Sequence, residues 1–185
     1  AHMIKPLVDD EETKRVLTAS MSTVHAATNS QSVLDSVPAT GTSDLRKNRS
    51  VLNNIILSST GAAKTLERVI PQAASFGFMA DSIRIPTPTV SLISLNITFD
   101  SRLNDNGMPI INAEYIKQLY HTAAAGSQKN LLVFSDEQNV STDLMGLSAA
   151  IVIEGNELHT RTGFLQLNAE TLAHAGIQGV NEVNI

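Results

Sequence analysis

An α+β fold, with a mixed, largely antiparallel sheet and helices packed on one face, is what this sequence predicts, and three observations predict it. Segments with strand character outnumber those with helical character. Between Leu92 and Phe99, the apolar Leu95, Ile97 and Phe99 alternate with Ser94, Asn96 and Thr98, the two-residue period of a half-buried antiparallel strand. Asn112 to Gly126 sets Ile116, Leu119, Tyr120 and Ala123 on one helical face and Glu114, Lys117 and Gln118 on the other, which suits a helix lying on a sheet.

Taken in order, Ala1-His2-Met3 reads as a cloning remnant, residues 4–176 as one domain, and 177–185 as a loose tail. Lys5 to Arg15 places Asp9, Asp10, Glu11 and Glu12 ahead of Lys14 and Arg15, an order of charge that favours a short helix. Val16 to Ala26 is rich in β-branched and small residues and predicts a strand. His25 stands at the end of it, with Thr28 and Gln31 leading into a long loop over 29–50. A polar ring at a strand end beside such a loop is either hydrogen-bonded structure or chemistry. Loops of that length usually bind something or pack on a partner.

After the apolar patch Val51 to Leu57, any of Ser58, Ser59 and Thr60 can cap a helix whose first turn holds Gly61, Ala62 and Ala63. Leu66, Val69 and Ile70 form its apolar face, and its small first turn leaves N–H groups open to an anion. Arg84 lies in a β-run between Ile83 and Ile85, either as an outward charge or as an anion ligand. Pro86 and Pro88 separate that run from the strand over 92–99. Further strands are expected at Asn130 to Phe134, Leu147 to Ile153 and, across a turn at Glu154-Gly-Asn156, Glu157 to Leu167. A last short helix is expected over Asn168 to Ala175.

Composition excludes several classes of function. A length of 185 residues suffices for one domain with a full core. Thirteen Lys+Arg against eighteen Asp+Glu leave a formal charge of −5, which argues against nucleic-acid binding or a polybasic membrane surface. With no cysteine there is no disulfide, no thiolate metal site and no cysteine nucleophile within the sequence, and no metal site is expected. No apolar run approaches the roughly 20 residues that span a bilayer, so a soluble, cytoplasmic protein is expected.

Five segments in register resemble the catalytic domain of glyceraldehyde-3-phosphate dehydrogenase. Met21-Ser-Thr-Val-His-Ala-Ala-Thr28 is similar to the strand that ends in the family's catalytic histidine, and Asp44-Leu-Arg-Lys-Asn-Arg49 to the end of its S-loop. Ser58-Ser-Thr-Gly-Ala-Ala-Lys64 resembles its phosphate-binding helix start. Ile83-Arg-Ile-Pro-Thr-Pro-Thr-Val-Ser91 resembles its arginine-bearing strand pair, and Val140-Ser-Thr-Asp143 a later structural segment.

The resemblance implies that His25 is the base that activates a thiol and steadies a hemithioacetal. It also implies that Thr28 and Arg84 hold the phosphate of a phosphorylated aldehyde, and that Thr60 and Gly61 hold the attacking inorganic phosphate. The chemistry agrees: an imidazole near neutral pKa exchanges protons with a thiol or an oxyanion, and a guanidinium fork matches phosphate oxygens. The family's cysteine would fall at or just before Met3, and its NAD or NADP domain would precede it; no G-x-G-x-x-G run occurs in the sequence. The family asparagine that faces the nicotinamide has no clear counterpart, with Asn168 in Gln166-Leu-Asn-Ala-Glu170 standing only as a candidate.

A fragment of a phosphorylating aldehyde dehydrogenase is therefore expected, inactive by itself for want of thiol and hydride acceptor. The alternative is a non-catalytic paralogue serving as a binding or assembly module. A relative acting on erythrose 4-phosphate is a third reading. Family S-loops and sheet faces lie at subunit contacts, so a homo-oligomer is implied as well.

Overall fold

Val16–Ala26 forms an eleven-residue strand, β1, and the sheet is built around it. The computed structural model describes residues 1–164, 166–174 and 182–184. Strand β2 (Ile56–Ser58) and helix α2 (Ala62–Val69) follow the long loop; β3 (Gly77–Ile85) and β4 (Ser91–Phe99) complete the main sheet. β3 lies parallel to β1 on one side, β4 antiparallel on the other, and β2 antiparallel against β3, in the order β2-β3-β1-β4. Helix α1 (Ile4–Asp9) precedes β1, and α3 (Ala113–Ala125) follows β4. Beyond α3, β5 (Leu132–Ser135) pairs in parallel with β6 (Ile151–Glu154); β7 (Gln166–Asn168) pairs with β8 (Glu182–Asn184), with α4 (Ala169–His174) between them in sequence. The sheets are thus mixed with mostly antiparallel pairings, as the alternation predicts.

Register makes one face of the main sheet apolar at one end and polar at the other. Ala19 of β1 stands beside Phe78 and Ile97, Met21 beside Ala80 and Leu95, Thr23 beside Ser82 and Ile93, and His25 beside Arg84 and Ser91. Because side chains alternate with period two, these four rows point the same way. The first row packs with Ile4 and Val8 of α1, Leu66 of α2, and Ile70, Ala73 and Phe76 in one core cluster. A second cluster joins Leu7 of α1 to Ile111, Ile116, Tyr120, Leu132 and Ile153. Six residues are too few for a helix stable by itself. Helix α1 is held instead because Ile4, Leu7 and Val8 are all buried, each contributing about 1.5–3 kcal/mol.

Several sequence expectations are corrected. The helix expected over Lys5 to Arg15 stops at Asp9, because the Asp10 carboxylate accepts from the Glu12 and Thr13 N–H groups and from the Thr13 and Tyr115 hydroxyls, which turns the chain. Burial pushes the Asp10 pKa up, but these hydrogen bonds outweigh it and hold the group below its ordinary value. On α2, Leu66 is buried but Val69 is 62% exposed, so the apolar face is narrower than the spacing suggests.

No strand spans Glu157 to Leu167: Gly155–Glu157 closes a 3₁₀ turn, 158–164 is irregular, and only Gln166–Asn168 is extended into a ladder. Gly155 lies flat on Phe134, where a Cβ would fall 2.5 Å from a ring carbon, so the turn packs on β5 instead of opening a hairpin. The last helix covers Ala169–His174; Ala175 and Gly176 lie outside the described residues, as do 177–181 and 185 of the expected tail, within which Glu182–Asn184 form β8.

Candidate active site

The polar end of the main sheet face lies at the C-terminal ends of the parallel strands β1 and β3. Its row runs Ile56, Arg84, His25, Ser91 across the four strands in spatial order. Two sequence-predicted residues, an imidazole and a guanidinium 59 positions apart, are thereby direct cross-strand neighbours. The row beneath carries hydroxyls, with Ser58, Ser82 and Thr23 side by side. Thr23 and Ser82 are both buried, so the polar end continues into the sheet instead of ending at its rim.

His25 Nδ1 is hydrogen-bonded to Ser91 Oγ at 2.8 Å, and among the described residues Nε2 has no partner. Burial, and then the charge of Arg84, hold the His25 pKa below the usual imidazole value. The ring is therefore neutral at pH 7 and able to accept a proton. Arg84 donates from Nη1 to the Ala26 carbonyl at 3.1 Å, which braces it against the end of β1. Its Nε is buried with no hydrogen-bond partner, a costly state that an anion oxygen would relieve.

Thr28 lies three residues past His25 in the root of the 29–50 loop. Its amide and its hydroxyl both donate to Gln31 Oε1, at 3.0 and 2.7 Å. Gln31 is buried, so this turn is firmly seated. To donate to a phosphate, the Thr28 hydroxyl must turn away from Gln31. Beyond it the loop is closed on itself: Asp35 accepts from Ser50 N and Arg49 Nε, and Ser32 O from Val51 N.

Thr60 and Gly61 follow β2, whose Ser58 is paired with Ser82 one row inward of Arg84. The Thr60 hydroxyl accepts from the Ala62 N–H at 3.1 Å, which leaves its own O–H free to donate, and Gly61 occupies the cap position of α2. A Cβ at Gly61 would meet nothing within 4 Å, so the space beside the helix start is open. Among the described residues Asn168 lies on β7, which pairs with β8, and not in the sheet that carries His25.

Sequence reasoning did not single out Ser91, the hydroxyl row or the role of Gln31. Several of them lie in the segments quoted above, but nothing in those segments singles them out. A strand pairing pattern would have found the first two, since each is set by register.

The described residues contain no group of His, Asp or Glu side chains arranged to hold a metal ion, and no helix long and apolar enough to cross a membrane. A groove of about 2090 Å³ runs along β4 between Leu92, Ile97 and Ile151; it reaches Ser91 but is not lined by His25 or Arg84.

A family model described as "Glyceraldehyde 3-phosphate dehydrogenase, C-terminal domain" matches residues 1–169. A glyceraldehyde-3-phosphate dehydrogenase of Amanita muscaria is 38% identical over 136 residues, 72% of this chain and 42% of the relative. Glyceraldehyde-3-phosphate dehydrogenase 1 of Bacillus cereus is 34% identical over 134 residues, and enzyme 2 of Streptomyces arenae 36% over 134, each alignment covering 72% of this chain and 36% of the relative. The chain thus spans less than half the length of the curated relatives it matches.

Proposed function

This chain belongs to the glyceraldehyde 3-phosphate dehydrogenase C-terminal domain family, and from that premise we propose that it is the base-bearing and phosphate-binding part of a phosphorylating aldehyde dehydrogenase. The observation that carries the reading is the pairing of His25 with Arg84 on one sheet face at the ends of two parallel strands. His25, neutral near pH 7, takes the proton of a thiol and, once charged, donates to the oxyanion that forms when the thiolate attacks an aldehyde. Arg84, with Thr28, binds the phosphate of that aldehyde; Thr60 and Gly61 hold the inorganic phosphate that takes up the acyl group.

The thiol comes from outside these 185 residues, which contain no cysteine. The hydride acceptor, NAD or NADP, is likewise supplied from outside this face, and the chain alone is inactive. Membership of the family supports a homo-oligomer in the cytoplasm. The exposure of Val33, Leu34 and Val37 on the long loop favours the same assembly and keeps the non-catalytic module as a second reading.

Titration of this chain with inorganic phosphate, followed by backbone NMR, tests the pocket. Saturable shifts at Thr28, Gly61 and Arg84 are expected. If none of these amides responds, the pocket assignment fails. NAD(P) reduction with glyceraldehyde 3-phosphate, assayed on a longer chain that includes a cysteine ahead of Ile4, separates the enzyme from the module.

A further inference from the structure

We propose that Ser91 is a positioning residue for His25, holding the ring by Nδ1 so that Nε2 is the nitrogen offered to a reacting group. The inference rests on the reading of His25 as a base. Two observations carry it independently. The first is the hydrogen bond itself, 2.8 Å between Nδ1 and Ser91 Oγ, made across a pair of directly opposed residues of β1 and β4. Such opposed residues have their Cβ atoms about 4.5–5.5 Å apart, a separation that a serine and an imidazole bridge without either leaving its strand position.

The second is the backbone immediately before Ser91. Val90 has φ 67°, in the left-handed region that a β-branched residue seldom enters. The one other described non-glycine residue with positive φ is Asn130, a type that tolerates the conformation. The strained turn has a geometric reason. β3 and β4 flank β1, so the 86–90 connection must cross the end of β1, where the Thr87 carbonyl accepts from the Ala27 N–H at 3.1 Å. The left-handed turn at Val90 ends that crossing and delivers Ser91 into register with His25. Strain of this kind persists where the surrounding structure imposes it, and it gathers at sites where a side chain must be placed.

A hydroxyl suits this task. It accepts from Nδ1–H in the neutral ring and equally in the charged one, so it orients the imidazole through a proton gain and loss at Nε2. A carboxylate in its place would favour the charged ring and leave less of it unprotonated to accept a proton near neutral pH. The facing charge is instead Arg84, which favours the neutral form.

The tautomer of His25, read from the ring nitrogen shifts of this chain by long-range proton–nitrogen NMR, tests the proposal. In the wild-type chain the proton is expected on Nδ1. Ser91→Ala should lower the ratio of Nδ1–H to Nε2–H forms about fivefold, the equivalent of one ordinary hydrogen bond. Ser91→Thr, which keeps the hydroxyl, should restore the wild-type ratio. Identical ring shifts in wild type and Ser91→Ala would overturn the proposal, as would a Thr variant that behaves like Ala. Should Ser91→Ala lose its fold, the Thr variant and the wild-type tautomer still decide: a wild-type ring protonated on Nε2 refutes it. No phosphate or substrate is present in this measurement, so a failed phosphate titration sinks the functional reading and leaves this result standing.

Discussion

The end of β1 and the loop that follows it hold proposed ligands only three residues apart, yet they hold them by different means. His25 is set by nine consecutive register pairs between β1 and β3 and by a hydrogen bond to Ser91 on the other side. Thr28 is set by a local turn onto Gln31, at the root of a loop that is hydrogen-bonded to itself through Asp35 and Ser50. A residue placed by a sheet cannot move without the ladder, whereas one placed by a turn can exchange one acceptor for another at the cost of about one hydrogen bond. The strand-held groups are therefore suited to fixed geometry, and Thr28 to closing on a phosphate once it arrives.

The largest test of that contrast is anion affinity. Arg84→Ala should weaken phosphate binding by roughly 30-fold, because a charge-assisted pair is worth about 2 kcal/mol, while Thr28→Ala should cost only about fivefold. Equal losses in an NMR titration would erase the distinction. Next in size, Gln31→Ala should lower unfolding stability in urea by about 1–2 kcal/mol, since it removes a buried acceptor that takes two hydrogen bonds. The His25 ring signals should nevertheless stay in place; if they shift, loop and strand are coupled.

Val90→Gly should gain up to about 1 kcal/mol, as the relief of left-handed strain exceeds the entropy glycine adds to the unfolded chain. A clear loss of stability there would mean that the turn is not strained.

The smallest effect is on pH dependence. The His25 pKa is lower in the folded chain than in the unfolded one, so as pH falls through about 6.5 the unfolded chain binds the proton first and stability declines. The decline ends below the folded pKa. His25→Gln should flatten the urea midpoint over that window only, leaving the carboxylate-driven loss at lower pH intact.

Much of this could be read from residues in a row. The strand Val16–Ala26, the α3 face of Ile116, Tyr120 and Ala123, and the alternation through Phe99 are local patterns, and the structure follows them. The strand expected over Glu157 to Leu167 failed because the close seat of Gly155 on Phe134 depends on a residue 21 positions away. Ser91 escaped notice for the same reason: nothing in Thr-Val-Ser distinguishes it until β4 is laid beside β1.

The sequence by itself determined which residue types were available: a neutral-range imidazole, a guanidinium in a β-run, small residues at a helix start, and no thiol. Only the tertiary structure decided that Arg84, His25 and Ser91 share a row. That placement comes from strand order and register, which are settled by burying Ala19, Phe78 and Ile97 against α1 and α2 at the far end of the same face. A shift of register by one residue would turn His25 to the opposite face, and the apolar row would be lost with it.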